Sequence, residues 1–171
     1  LDERGINIQI NPSLDVIETT AIVMNAKENG AIILGGGSPK NFYMQTQPYL
    51  WECLGLEKGG HDYFIQITAD SPVWGGLSGA TPSEAVSWGK INPNELKNTV
   101  VVYADTTIAA PILFSYAFEN AKPRKKKELG KKIDKLVYNL EKEIKDKPVT
   151  WTADQLYDKH KCQGHQCGGK A

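Results

Sequence analysis

In 171 residues, 20 Lys and Arg balance 20 Asp and Glu, 40% of the residues are hydrophobic and 23% are charged. That composition fits one globular domain with a real core, and zero net charge offers no bulk attraction to nucleic acid or to a membrane. No apolar run reaches the ~18 residues of a membrane helix and no signal peptide is expected; three cysteines, Cys53, Cys162 and Cys167, are too few for a disulfide framework, so a reducing cytoplasm is the expected setting.

The chain opens on Leu1, and Leu1 to Pro12 has no obvious start of its own, so a piece of a longer protein is expected. Asp15 to Lys27 carries Val16, Ile17, Thr20, Val23 and Met24 at spacings of three and four, which predicts a helix. Ala31 to Leu34 is wholly apolar and stops at Gly35-Gly36-Gly37, as a buried parallel strand ending in a glycine turn does. Pro39 to Leu54 reads as a helix with proline near its start. Asp62 to Thr68 reads as a second strand, followed by a loop holding Pro72, Gly75, Gly76 and Gly79. Pro82 to Trp88 reads as a short helix stopped by Gly89, and Thr99 to Ala104 as a third strand leading into a helix from Ile108 to Asn120.

Strands alternating with helices predict an α/β fold: a Rossmann-like parallel sheet, right-handed crossovers and helices on both faces. Ligands of such sheets bind beyond the carboxyl ends of the strands. Gly35 to Gly37, Thr68 to Ser78, and Asp105 with Thr106 all fall there. The domain is expected to occupy residues 1–121, with a basic amphipathic helix over 122–147 and a flexible tail over 148–171. Lys122 to Lys147 holds eleven Lys or Arg against five Asp or Glu, and Leu129, Ile133, Leu136, Val137, Leu140 and Ile144 form one apolar stripe. Acidic residues interrupt the basic run and aromatics are missing from its interleaf, so a helix docking on its own domain or a neighbouring subunit is expected rather than a nucleic-acid patch.

A triple glycine lets backbone approach a pyrophosphate, and the N–H groups that follow suit an anion; tight packing explains such turns equally well. Glu84 and Trp88 are four residues apart and share a helical face, and Lys90, just past Gly89, can turn back beside the indole. A lysine against an aromatic wall loses hydration, which favours the free amine and hence a nucleophile, although an ordinary surface lysine is the simpler reading. In the tail, His160, Cys162, His165 and Cys167 match no standard zinc spacing, and no metal site is expected. His61, after Gly59-Gly60, reads as a turn residue.

Glu84 to Lys90, EAVSWGK, resembles the signature around the active-site lysine of the deoxyhypusine synthase family. Ile32-Ile33-Leu34-Gly35-Gly36-Gly37 before it and Val102-Tyr103-Ala104-Asp105 after it agree in order, and the similarity runs from about Asp15 to Asn120. The resemblance identifies the chain with the C-terminal half of such a protein and implies NAD-dependent aminobutyl transfer from spermidine through an imine on Lys90. It implies that Gly35, Gly36, Gly37, Ser78, Asp105 and Thr106 line the NAD site. Glu84 and Trp88 are implied on the polyamine as countercharge and cation–π wall.

The sequence departs from the family pattern twice. Asn41 replaces a histidine on the polyamine side, and Leu77 replaces an aspartate before Ser78-Gly79-Ala80. Trp74-Gly75-Gly76-Leu77-Ser78 is more similar to the prokaryotic deoxyhypusine synthase-like branch, which implies a free amine acceptor such as putrescine, giving homospermidine. The alternatives are a catalytically silent or regulatory subunit, a true deoxyhypusine synthase acting on a translation factor lysine, and an NAD-binding module of other chemistry. The expected partner is another copy in a tetramer-like homo-oligomer, or a chain supplying the missing N-terminal half. Either is expected to cover the stripe from Leu129 to Ile144.

Overall fold

The computed structural model describes residues 10–145. Its first helix, α1 (Pro12–Asn25), begins where the Asn11 side chain accepts a hydrogen bond from the Leu14 N–H and Pro12 removes an N–H that would lack a helical partner. Strands β1 (Gly30–Leu34), β2 (Tyr63–Thr68) and β3 (Thr99–Tyr103) lie in the order β1-β2-β3, and both pairings are parallel. Each strand lies within about a residue of its expected bounds, because an apolar run ended by glycine or a polar turn leaves the register little freedom.

Between the strands run α2 (Ser38–Met44), α3 (Thr46–Pro48) and α4 (Pro82–Ser87). The single helix expected over Pro39 to Leu54 is corrected here. It is broken after Met44, resumes as α3 and widens into a π-helical turn, Tyr49–Cys53. Pro48 has no N–H to give to the preceding turn, and the Leu54 N–H closes a wider ring on the Tyr49 carbonyl at 3.2 Å.

Alternation along the strands divides the sheet into two faces. On the first, Ile33 and Phe64 pack with Met44 and Ile91, edged by Ala31, Tyr43, Ala85, Val86 and Val101. On the second, Ile67 is buried and β2 meets α5 (Thr106–Asn120), yet Ile32, Leu34, Tyr63 and Val100 are exposed. The apolar surface continues along α5, where Ile108, Ile112, Tyr116 and Phe118 are exposed.

Within the described part of the basic segment, residues 122–145, the helix α6 takes Ile133–Lys145, after a 3-10 turn at Leu129–Lys132. Lys122 to Glu128 forms no regular element, as Pro123 and the like charges Arg124 to Lys127 dictate. The amphipathic stripe docks on its own domain: Leu136, Val137, Leu140 and Ile144 pack with Ala21, Val23, Leu50 and Leu56. The expectation that another chain covers this stripe is therefore corrected for Leu136 to Ile144, which pack mainly on α1, whereas Leu129 is exposed. Asn25 fastens the pair, donating to the Leu136 carbonyl at 3.1 Å and accepting from Asn139 at 2.7 Å. The tail with His160, Cys162, His165 and Cys167 lies outside the described residues. Among the described residues, no helix is long and apolar enough to cross a membrane.

Candidate active site

Helix α4 is fixed at its start by Thr81, whose hydroxyl accepts from the Glu84 N–H at 3.2 Å. It ends at Trp88 and Gly89. Gly89 has φ of 66°, and a Cβ there would stand 2.9 Å from the Trp51 indole nitrogen, so both backbone and space call for glycine. This turn carries Lys90 back toward the helix. Its N–H bonds the Ala85 carbonyl at 2.9 Å and its carbonyl accepts from the His61 N–H at 2.9 Å.

Lys90 Nζ lies 5.6 Å from the Trp88 ring centroid and donates to Asn41 Oδ1 at 2.9 Å. Burial pushes its pKa below 10.5, and Glu84 opposes that shift. Glu84, Trp88, Asn41 and Lys90 line one cavity of about 290 Å³, with Lys40, Phe64 and Leu77 among its other walls. The polyamine-side residues read from sequence are thus brought together. Leu77 and Asn41 also border a neighbouring cavity lined by Val16, Phe42 and Tyr49.

The residues expected on the cofactor side lie at the carboxyl edge of the sheet. Gly36 packs against Ser78, where an added Cβ would stand 2.7 Å from the serine Cβ. At Gly35 and Gly37 φ is 87° and 81°, and nothing lies within 4 Å of where a Cβ would be. The open backbone at these two positions fits a phosphate, whereas Gly36 meets the need for close packing. Ser78 donates its hydroxyl to Asp70. Asp105, one strand beyond β2 at the same edge, caps α5 by accepting from the Thr107 N–H at 2.8 Å and its hydroxyl at 2.6 Å, while Thr106 begins that helix. Those hydrogen bonds hold the Asp105 carboxyl below its ordinary pKa.

Three polar residues escaped the sequence reading. Lys40 received no role there, yet it is 7% exposed and donates to Gln66 Oε1 at 2.9 Å and the Ala80 carbonyl at 2.7 Å. Gln66 is fully buried on β2 and donates to the Gly35 and Ser78 carbonyls, both at 2.8 Å. Its polar place in an apolar strand was the available signal. His61 is a correction: it is a buried residue bridged to Ile91, stacked on Tyr43 with ring centroids 4.4 Å apart and bonded through Nδ1 to Asn29 Oδ1. Burial pushes its pKa down to about 4.

A family model described as deoxyhypusine synthase matches residues 2–117. The "deoxyhypusine synthase-like protein" of Nostoc punctiforme is 54% identical over 144 residues, covering 82% of this chain and 37% of that protein. The "probable deoxyhypusine synthase 2" of Methanosarcina acetivorans is 52% identical over 110 residues, covering 64% of this chain and 31% of that protein. The chain thus spans less than two fifths of the length of these relatives. With more than half of its length matched by that family and its parallel sheet presenting the lysine turn intact, the chain belongs to the deoxyhypusine synthase family.

Proposed function

We propose that this chain carries the nucleophile of an NAD-dependent aminobutyl transfer from spermidine or a related polyamine. One observation supports this above others: Lys90 is partly desolvated, lies beside Trp88, is aligned by Asn41, and shares a cavity with a single carboxylate, Glu84. Burial favours the neutral amine that a nucleophilic lysine needs. Its nitrogen forms a bond to the substrate imine carbon while the carbon–nitrogen bond to diaminopropane breaks, leaving the butylamine as an imine on Lys90. An acceptor amine then takes that carbon and releases the lysine. Glu84 holds a polyamine ammonium and Trp88 offers its ring face to the charge.

Gly35, Gly36, Gly37, Ser78, Asp105 and Thr106 are the residues proposed to hold NAD, which when bound supplies reversible hydride acceptance. The acceptor we propose is a free amine such as putrescine, in keeping with a small cavity in which Leu77 offers no acid. The exposed second face of the sheet is proposed to be covered by the part of the protein that the relatives have in addition, or by another copy.

Borohydride tests the reading. With that remaining part, spermidine and NAD supplied, reduction should fix a butylamine adduct on Lys90, and Lys90→Arg should abolish it while NAD binding persists. Labelling of another residue, or equal labelling of Lys90→Arg, would end the assignment. No adduct at all would favour a catalytically silent subunit.

A further inference from the structure

We infer that Lys40, behind the nucleophile in the same cavity, is a positioning residue that stays an ammonium so that Lys90 is the lysine that becomes a free amine. This deepens the reading of Lys90 as nucleophile and rests on it. The geometry of the hydrogens decides between the two lysines. Lys40 Nζ faces three oxygens: Gln66 Oε1 at 2.9 Å, the Ala80 carbonyl at 2.7 Å and the Ser78 carbonyl at 3.4 Å. The two carbonyls can only accept. Gln66 is oriented by its own amide, whose nitrogen donates to the Gly35 and Ser78 carbonyls, so the oxygen it turns to Lys40 also only accepts. Three acceptors call for three hydrogens, which an ammonium has. A neutral amine has two, and its lone pair would face an oxygen in a buried place. The Phe64 ring, 5.6 Å from Nζ, adds attraction for the cation.

Lys90 stands otherwise. Its Nζ has one acceptor, Asn41 Oδ1, and the Trp88 ring beside it. A neutral amine satisfies that amide oxygen and keeps its lone pair free. The charges lining the cavity are Lys40, Lys90 and Glu84, and one carboxylate cannot balance two ammoniums. Asp70, the nearest further acid along the loop, is engaged by the Ser78 hydroxyl. Burial pushes the Lys40 pKa down, Glu84 opposes that shift and the Lys90 charge adds to it, so the lysines compete, and the triple acceptor set leaves the proton on Lys40. The same contacts join the triple-glycine turn to the Ser78–Ala80 turn, so the cation that biases Lys90 also holds the two loops beside it.

The order of two titrations tests this. In the chain labelled with ¹³C-lysine, the Cε resonance of Lys90 should shift at a lower pH than that of Lys40; the reverse order overturns the inference and needs no variant. In Lys40→Met, checked for native circular dichroism, the Lys90 titration should move to higher pH. Acylation of Lys90 at pH 8 by a limiting amine-directed ester, quantified by mass spectrometry, should slow about tenfold. Lys40→Arg, which keeps the charge, should stay within about twofold of the native rate. Unchanged acylation in a folded Lys40→Met would leave Lys40 as a loop tether alone and overturn the proposal; if that variant does not fold, the order in the native chain decides. Neither readout uses spermidine or NAD, so failure of the imine trap and failure of this test remain separate results.

Discussion

The two faces of the sheet are built from one sequence pattern yet finished in opposite ways. On the first face a lysine and a glutamine are buried, and each is answered by carbonyls of the chain itself. On the second, Ile32, Leu34, Tyr63 and Val100 meet solvent. Polar chemistry has to be completed where it stands, because a buried donor or acceptor without a partner is costly in any assembly. Apolar surface needs only area, and another polypeptide supplies that as well as the chain does. A folded unit can therefore hold Lys90 in place while a large interface is still open.

The sharpest way to break this contrast is Gln66→Leu. It strips the Gly35 carbonyl of its side-chain donor, the Ser78 carbonyl of the nearer of its two and Lys40 of an acceptor, and should cost about 3 kcal/mol of stability, read as a lowered urea midpoint. A loss no larger than that of a second-face substitution would show that the first face is no more tightly specified.

Acidification probes the amino end of the first face. His61 Nδ1–H donates a hydrogen bond to Asn29 Oδ1, and Nε2 is buried without a hydrogen-bond partner, so the folded protein holds the ring neutral. Its pKa falls from 6.5 to about 4 on folding, with burial the main cause and the Tyr43 backbone and the Asp62 charge opposing it. The unfolded chain therefore binds the proton first. Stability present above pH 6.5 should decline as pH falls toward about 4, by up to about 3 kcal/mol. Denaturant unfolding across that window should show the slope, and His61→Phe should flatten it.

The smallest effect is expected on the second face. Ile32→Lys should change the stability of the chain alone by no more than about 0.5 kcal/mol, while sedimentation shows any association through that face abolished. A large loss of stability would mean that the face is already covered within the chain.

These regions also differed in how readily they could be read. The strands and the turn bearing Lys90 were legible because glycine placement and apolar runs act locally: Gly89 turns the chain and Lys90 comes back over Trp88. Lys40 was not, because a lysine in a first helical turn looks solvated until the sheet behind it is known. Gln66 sits on the sheet face that α2 packs against, and only the register of β1 with β2 puts it opposite Ile33. The π-helical turn after Pro48 was missed for another reason. A proline with helix formers on both sides is compatible with a kink, a break or a widened turn, and packing of Leu50 selects among them.

The docking of α6 on α1 has a consequence for synthesis. The bond from Asn25 to the Leu136 carbonyl closes 111 residues of chain, and among the described residues the apolar side of α1 has no other cover of comparable extent. During translation α1 leaves the ribosome long before its partner exists. The three strands can pair while that helix is still bare, so the nascent chain passes through a period in which its sheet is formed and its first helix is a sticky surface. Completion of α6 ends the exposure of α1, while the second face of the sheet stays open.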